Sequence, residues 1–238
     1  MEAIPKIIHQ IWSGIDGPLP KIFNEFGNTW KKYNPDWKYE FWDNARMNQF
    51  ILDFYPQYWE PYNLFTYNVQ RWDVIRYLIL DQMGGMYVDF DTECLESMNK
   101  IFQGKTCCFQ MEPPSHWKMY NREFFFNNAL MAAVPAHPFM KLIIRTVFEN
   151  VKPVQFVNRK IKGEQVSQST GPIMLVNLYD RYPDKESIYL IPYQYTSPLS
   201  DVEIACLRQG KHLEILEEKM ENACCIHYYF NTWMVGDK

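Results

Sequence analysis

The residues with the clearest chemistry are two aspartates in the run Tyr87-Val88-Asp89-Phe90-Asp91. They close a short apolar stretch, Met86 to Asp91, that reads as a strand. Alternate side chains of a strand share a face, so the spacing predicts that Asp89 and Asp91 point the same way. In open α/β sheets, ligands bind beyond the carboxyl ends of strands. Two nearby carboxylates repel unless a cation or proton sits between them. A hard divalent ion, Mn²⁺ or Mg²⁺, would relieve the repulsion and recruit the oxygens of a diphosphate. A strand that merely ends in solvated acids carries the same letters, so the decision falls to the neighbouring residues.

Upstream lies Arg71-Trp72-Asp73-Val74-Ile75-Arg76-Tyr77. Asp73 and Arg76 are three apart, hence on one face of a helix. As a surface ion pair they would be worth roughly 0.2–0.5 kcal/mol. In a site they supply an acceptor for sugar hydroxyls and a cation for a sugar or phosphate.

The elements that must hold these groups can be traced outward. The helix runs from about Val69 to Met83, with Trp72, Ile75, Ile79 and Met83 at helical spacing, and Gly84-Gly85 ends it. Ile4 to Trp12 reads as a buried strand, Pro18 to Lys32 as a helix with Ile22, Phe26 and Trp30 on one stripe, and Trp37 to Trp42 as a second strand. Asp43 caps a helix to about Phe54. The aromatic stretch Tyr55 to Tyr67, broken by Pro56 and Pro61, makes short helical turns. Later elements are a strand at Cys107 to Met111, a helix at Pro138 to Asn150, a helix from Thr170-Gly171-Pro172 to about Tyr182, and strands at Ile188 to Ile191 and Cys224 to Tyr228. The polar segment Val151 to Gln168, with Lys152, Arg159, Lys160 and Lys162, is expected to be a mobile loop on the acceptor side. Strands alternating with helices predict an α/β fold with a mostly parallel central sheet flanked by helices.

Composition bounds the partners. The chain has 238 residues, which suits a single domain over 1–238. A net charge of -4 carries no basic excess, so nucleic acid is not expected as a partner. Cys94, Cys107, Cys108, Cys206, Cys224 and Cys225 include no C-x-x-C pair and read as reduced, mostly buried thiols. With no signal peptide and no apolar run of membrane-spanning length, the expected location is cytoplasmic, with peripheral membrane contact left open.

Six segments together carry a resemblance. They are Ile4 to Trp12, Asp73 to Tyr77, Gly84 to Asp91, Asn128-Ala129, Thr170-Gly171-Pro172 and His227 through Trp233. In this order they resemble the D-x-D-containing sugar transferases of glycosyltransferase family thirty-two, over most of the chain. That group includes yeast initiating mannosyltransferases and bacterial capsule enzymes, with the catalytic domains of large clostridial glucosylating toxins as distant relatives. The resemblance implies a GT-A fold and retaining transfer of a hexose from a UDP- or GDP-sugar with Mn²⁺ or Mg²⁺. It implies that Trp12 stacks on the base, that Asp73 and Arg76 grip the donor sugar, and that Asn128 contacts it. Asp89 matches the first motif acid, near ribose, sugar and metal, Asp91 the direct metal ligand, and His227 a late metal or diphosphate ligand. Trp233 belongs to the chain end that closes over the diphosphate, but Asn231-Thr232 stands where the family has a small Gly-Ser. His9 falls in the first motif and reads as a buried histidine packing the sheet.

The expected acceptor is a glycan or lipid-linked saccharide, for a cytosolic bacterial member one in capsule or surface-polysaccharide assembly. Two rivals stand beside this reading. A D-x-D phosphatase would place Gly-Thr directly after the second acid, where this chain has Thr92-Glu93. A carbohydrate-binding protein without catalysis would have no need of Asp89 and Asp91 together with Asp73 and Arg76.

Overall fold

The computed structural model describes residues 3–149, 151 and 158–234. Its first half alternates strand and helix as the sequence pattern demands: β1 (Ile7–Ile11), α1 (Lys21–Tyr33), β2 (Lys38–Trp42), α2 (Asn44–Phe54), α3 (Trp59–Asn63), α4 (Asn68–Met83), β3 (Gly85–Val88) and β4 (Thr92–Cys94). The middle holds α5 (Asn99–Phe102), β5 (Cys107–Met111), α6 (Pro114–Met119), β6 (Phe126–Ala133) and α7 (Pro138–Glu149). The remainder is α8 (Arg159–Ser169), α9 (Pro172–Arg181), β7 (Tyr189–Ile191), α10 (Tyr193–Thr196), α11 (Asp201–Arg208), α12 (Leu213–Met220) and β8 (Cys225–His227).

Six strands form one sheet in the order β2-β1-β3-β6-β5-β7, while β4 and β8 pair as a separate ribbon. β1 is parallel to β2 and β3, and β5 is parallel to β7. β6 is antiparallel to both β3 and β5. Within this sheet β6 alone is reversed, so the carboxyl ends of the other five strands share one edge with the amino end of β6. Trp12, Asp43, Asp89, Glu112 and Pro192 leave the sheet along that edge, and Asn127 and Asn128 enter it there.

The sheet is covered on both faces. Tyr87 of β3 joins a large cluster with α2, α4, α7 and α9, while Met86 and Val88 join Ile8, Trp30 and Trp37 on the other side. The middle of α4 is wrapped on all sides: every residue from Asp73 to Leu80 is buried. The expected single stripe of Trp72, Ile75, Ile79 and Met83 is therefore too narrow. A helix without a solvent face belongs inside a core, and Trp72 and Met83 lie at its edges, half-buried. Among the described residues no helix is long and apolar enough to cross a membrane. The six cysteines are free.

Three expectations need correction. On α1 the buried residues are Phe23, Phe26, Gly27 and Trp30, whereas Ile22 is 39% exposed. β3 ends at Val88, so Asp89 and Asp91 lie beyond the strand. The segment expected as a loop contains α8, started by Asn158, whose side chain accepts from the Ile161 amide, and anchored by buried Val166. Lys152 lies outside the described residues.

The α4–β3 junction depends on Gly84 and Gly85, with φ of +63° and +99°. A Cβ on Gly85 would stand 2.6 Å from the Ile7 carbonyl oxygen, inside the β1–β3 pairing. Gly85→Ala is expected to cost about 2 kcal/mol or more in urea unfolding, from clash and a left-handed backbone together. Gly104→Ala, at φ +70° with nothing within 4 Å, should cost only about 1 kcal/mol. Equal losses at the two positions would refute the close-approach account.

Candidate functional site

The two motif acids sit on a turn, not a strand. The Thr92 amide donates to the Asp89 carbonyl at 3.2 Å, and the Asp89 amide donates to the Ala129 carbonyl at 2.8 Å. The turn hands the chain from β3 to β4, which pairs antiparallel with β8 and sets Thr92 opposite His227. Asp91 is held from that side by the Phe230 amide on Oδ2, at 2.9 Å, and by His227 Nε2, 3.3 Å from Oδ1. Its carbonyl accepts from the Tyr228 amide at 2.8 Å. The two aspartates thus converge as expected, but by a turn and a second ribbon, not by strand alternation.

Asp73 and Arg76 are not a surface pair. Their side chains are 6% and 8% exposed, with 3.2 Å between Asp73 Oδ1 and Arg76 Nη2. Every polar atom of the pair is engaged. Asp73 Oδ1 also accepts from Asn128 Nδ2 at 2.8 Å, and Oδ2 accepts from the Thr170 hydroxyl at 2.8 Å. Arg76 Nη1 donates to the Asn128 carbonyl at 2.8 Å and lies 3.3 Å from Asp89 Oδ1. Its guanidinium also covers the Tyr87 ring, 4.5 Å from the centroid. The Tyr87 hydroxyl donates to Asp89, and the Tyr77 hydroxyl joins Asn128 to the Thr170 carbonyl. Arg76 therefore ties the helix pair to the motif turn, while Asn128 at the start of β6 closes the ring.

Charge follows from this packing. Burial raises the Asp73 carboxyl above its ordinary value, opposed by Arg76, Thr170 and Asn128. Burial also raises Asp89, opposed chiefly by Arg76. Asp91 goes down: burial opposes, but the charge and hydrogen bond of His227 outweigh it. His227 is pushed up to about 8, because Asp91 overcomes burial. Among the described residues, one ligand atom each from Asp89, Asp91 and His227 lie within 4.8 Å of one another. Two carboxylates and an imidazole are a donor set that suits a divalent ion of the Mn²⁺ kind, and such an ion would answer the charge excess of the acids. His227 Nδ1 is buried without a partner among the described residues.

Of the two tryptophans, Trp12 packs on the motif turn and Trp233 on the start of α4. Trp12 packs edge-on against Phe90, the residue between the acids, with centroids 6.5 Å apart, and donates Nε1–H to the Gly17 carbonyl at 2.9 Å. Trp233 packs with Tyr67, Val69, Val166 and Trp72, the neighbour of Asp73. Its carbonyl accepts from Lys162 Nζ at 3.0 Å, so Lys162 is a buried tie to the chain's end, not a loop cation. His9 is a packed core residue as expected: Nδ1 accepts from Trp42 at 3.2 Å and Nε2 faces the Gly84 carbonyl at 2.9 Å. Burial lowers its pKa to about 4.

Sequence reasoning missed a second polar group on the same edge. Glu112, directly after β5, accepts from His116 Nδ1 at 2.6 Å, from the Tyr229 hydroxyl at 3.0 Å and from Asn127. The spacing of four between Glu112 and His116 was visible, but Pro113-Pro114 between them obscured it.

Comparison with known proteins agrees with this geometry. Residues 20–107 match the family model described as a glycosyltransferase sugar-binding region containing a DXD motif. Inositol phosphoceramide mannosyltransferase 2 of Schizosaccharomyces pombe is 30% identical over 180 residues, 76% of this chain and 47% of that protein. An uncharacterized glycosyltransferase of Acanthamoeba polyphaga mimivirus is 29% identical over 199 residues, 82% of this chain and 73% of that one. The chain spans about half the length of the Schizosaccharomyces relative. Among solved structures, PaToxG glycosyltransferase superposes with a TM-score of 0.52 at 18% identity, covering 93% of this chain and 85% of that one. The likeness shows the fold, which is GT-A.

Removing one member of a buried ion pair leaves the other charge uncompensated. Arg76→Ala is therefore expected to lower unfolding free energy by about 3 kcal/mol or more. Asp73→Ala in the same background should add much less than it costs alone, because the two share partners. Denaturant unfolding of both singles and the double measures this. A loss below about 1 kcal/mol in each single would return the pair to the surface class.

Proposed function

We propose that this chain, which belongs to the glycosyltransferases whose sugar-binding region contains the DXD motif, is a retaining, metal-dependent enzyme. It moves a hexose from a UDP- or GDP-sugar to a hydroxyl of a glycan or lipid-linked acceptor. The observation that carries the reading is the meeting of Asp89, Asp91 and His227 at the sheet edge, beside the Asp73–Arg76–Asn128 network. The relative named an inositol phosphoceramide mannosyltransferase supports mannose as the sugar. It also favours a lipid-linked acceptor over a capsular one, and with it peripheral contact with a membrane.

The difficult part of the reaction is charge. As the glycosidic C–O bond to phosphate breaks, the diphosphate becomes more negative and the sugar cation-like. Asp91 and His227, with Asp89, would hold the divalent ion, which when bound supplies Lewis-acid stabilisation of the leaving diphosphate. Arg76 contributes a fixed positive charge that needs no reorganisation, because four surrounding groups already orient it. Asp73 and Asn128 form the wall against which the donor sugar is oriented. Trp12 offers a ring at the end of β1 for the nucleobase. Trp233 and the segment after β8 cover the diphosphate side.

The direct test is a donor panel scored by nucleotide release with and without Mn²⁺. Asp91→Asn should abolish Mn²⁺-dependent turnover while the chain still folds and unfolds cooperatively, with a lowered midpoint from the lost pairing to His227. Near-normal turnover at low Mn²⁺ would end the metal assignment.

Trp12→Ala should act differently. A stack on the base is equal in ground and transition states, so its loss raises KM for the donor and leaves kcat nearly intact. An unaltered donor KM in Trp12→Ala would remove Trp12 from the base site.

A further inference from the structure

A cavity of about 710 Å³ opens beyond the carboxyl ends of β5 and β7. It lies on the same sheet edge as the motif turn, on the far side of β6. Its size falls within the range of small-molecule sites, about 300–1,000 Å³. Pro113 and Pro114 form one wall, Tyr193 a second, and Asp201 with its neighbours on α11 and α12 the third. His116 looks into it from the side nearest the acid cluster.

One aromatic side chain lies between the His116 edge of the cavity and His227. The Tyr229 ring lies 4.2 Å from the His227 ring and 5.3 Å from the His116 ring, centroid to centroid. Glu112 accepts from both Tyr229 and His116, which holds the half-buried ring between them. On the cavity side, His116 Nε2 lies 3.1 Å from Asp201 Oδ1. Asp201, whose side chain is half-exposed, makes this contact through one oxygen, and its other oxygen has no partner among the described residues. A carboxylate held in this way accepts hydroxyl hydrogen bonds at little entropic cost.

The charges of the lining select the ligand. Both cations are already paired, Lys219 with Glu203 and His116 with Glu112 and Asp201. Asp201, Glu203 and Glu218 outnumber them. A phosphate or carboxylate would meet repulsion here. A ring with several hydroxyls meets an oriented carboxylate, the amide of Asn222, and the flat apolar surfaces of Tyr193, Pro113 and Pro114 for its C–H face.

We propose that this cavity is the acceptor subsite and takes an uncharged, hydroxyl-rich ring of hexose or cyclitol size. The inference rests on the glycosyl-transfer reading, since the occupant is the acceptor only if the acid cluster holds the donor. The donor half and the acceptor half then face one another across β6, with Tyr229 between them.

The experiment uses the full chain and whichever nucleotide-sugar it hydrolyses in the donor panel. Nucleotide release without acceptor reports the donor half. Transfer to methyl α-D-mannopyranoside and to myo-inositol reports the cavity. Asp201→Asn is expected to lower the ratio of transfer to hydrolysis about tenfold, through a raised KM for the probe. Val202→Trp, at an exposed position on the rim, should block transfer by filling the mouth while hydrolysis proceeds at the wild-type rate. An unchanged ratio in both variants overturns the subsite and leaves the glycosyl-transfer reading standing. Parallel losses of hydrolysis and transfer, with the ratio intact, overturn it too, by exposing a structural effect. A wild-type chain that hydrolyses no nucleotide-sugar removes the transfer reading itself, and the subsite with it.

Discussion

The structure depends on a guanidinium buried where a core helix meets the motif turn. Arg76 is in the central stretch of a helix that is buried from Asp73 to Leu80, 3.2 Å from Asp73 and 3.3 Å from Asp89. A lone charge in that place would be severely penalised. Three conditions have to hold together for it to remain there. α4 must be packed all round, Asn128 must present its carbonyl from the start of the reversed strand, and the turn after β3 must aim Asp89 inward. Each is a property of a different element, so the ion network fixes their mutual placement. Replacing it with apolar residues of equal volume would often be neutral for stability. Its value therefore lies in fixing a carboxylate beside a cation at the sheet edge, which is a requirement of a site and not of a core.

The reversal of β6 matters for the same reason. With five strands aligned, their carboxyl ends would already place Trp12, Asp89 and Glu112 on one edge. The reversed strand adds its amino end, and so brings Asn127 and Asn128 to that edge from inside the sheet. Asn128 serves Asp73 and Arg76, while Asn127 serves Glu112. Neighbouring side chains on a strand point to opposite faces. One strand therefore supports the polar group beside the motif turn and the one beside the cavity.

Local signals were legible where one residue decides an element. Asp43 caps α2 by accepting from the Arg46 amide at 2.8 Å, and Gly84-Gly85 stops α4, both as the sequence pattern predicts. The convergence of Asp89 and Asp91 was legible as an outcome, but its cause was not. Strand alternation and a turn closed by Thr92 both bring residues two apart to one side, and the pairing of β4 with β8 is invisible in the letters. β6 went unseen because Phe126-Asn127-Asn128-Ala129-Leu130-Met131-Ala132-Ala133 is buried along its whole length and so has no alternation to read. α8 went unseen because it is polar around most of its surface, and only Val166 and Lys162 are buried. The burial of Asp73 and Arg76 needed the tertiary structure, since spacing alone describes an exposed pair equally well.

The segment after β8 joins these parts. Tyr229 and Asn231 both have left-handed φ, +47° and +49°, which residues with a side chain adopt at a cost. Between them Phe230 presents its amide to Asp91, and before them His227 presents its imidazole. The bends accompany the meeting of the Phe230 amide with the carboxylate that His227 already faces, and Tyr229 between them reaches buried Glu112. The strain is thus confined to the residues that join the acid cluster to the Glu112–His116 group. Glycine at either position would relieve it, but would also free the segment to leave Asp91. The departure from the small Gly-Ser expected before Trp233 has its physical counterpart here: a stiffer Asn231-Thr232 holds by fixed conformation a segment that glycine would leave adaptable.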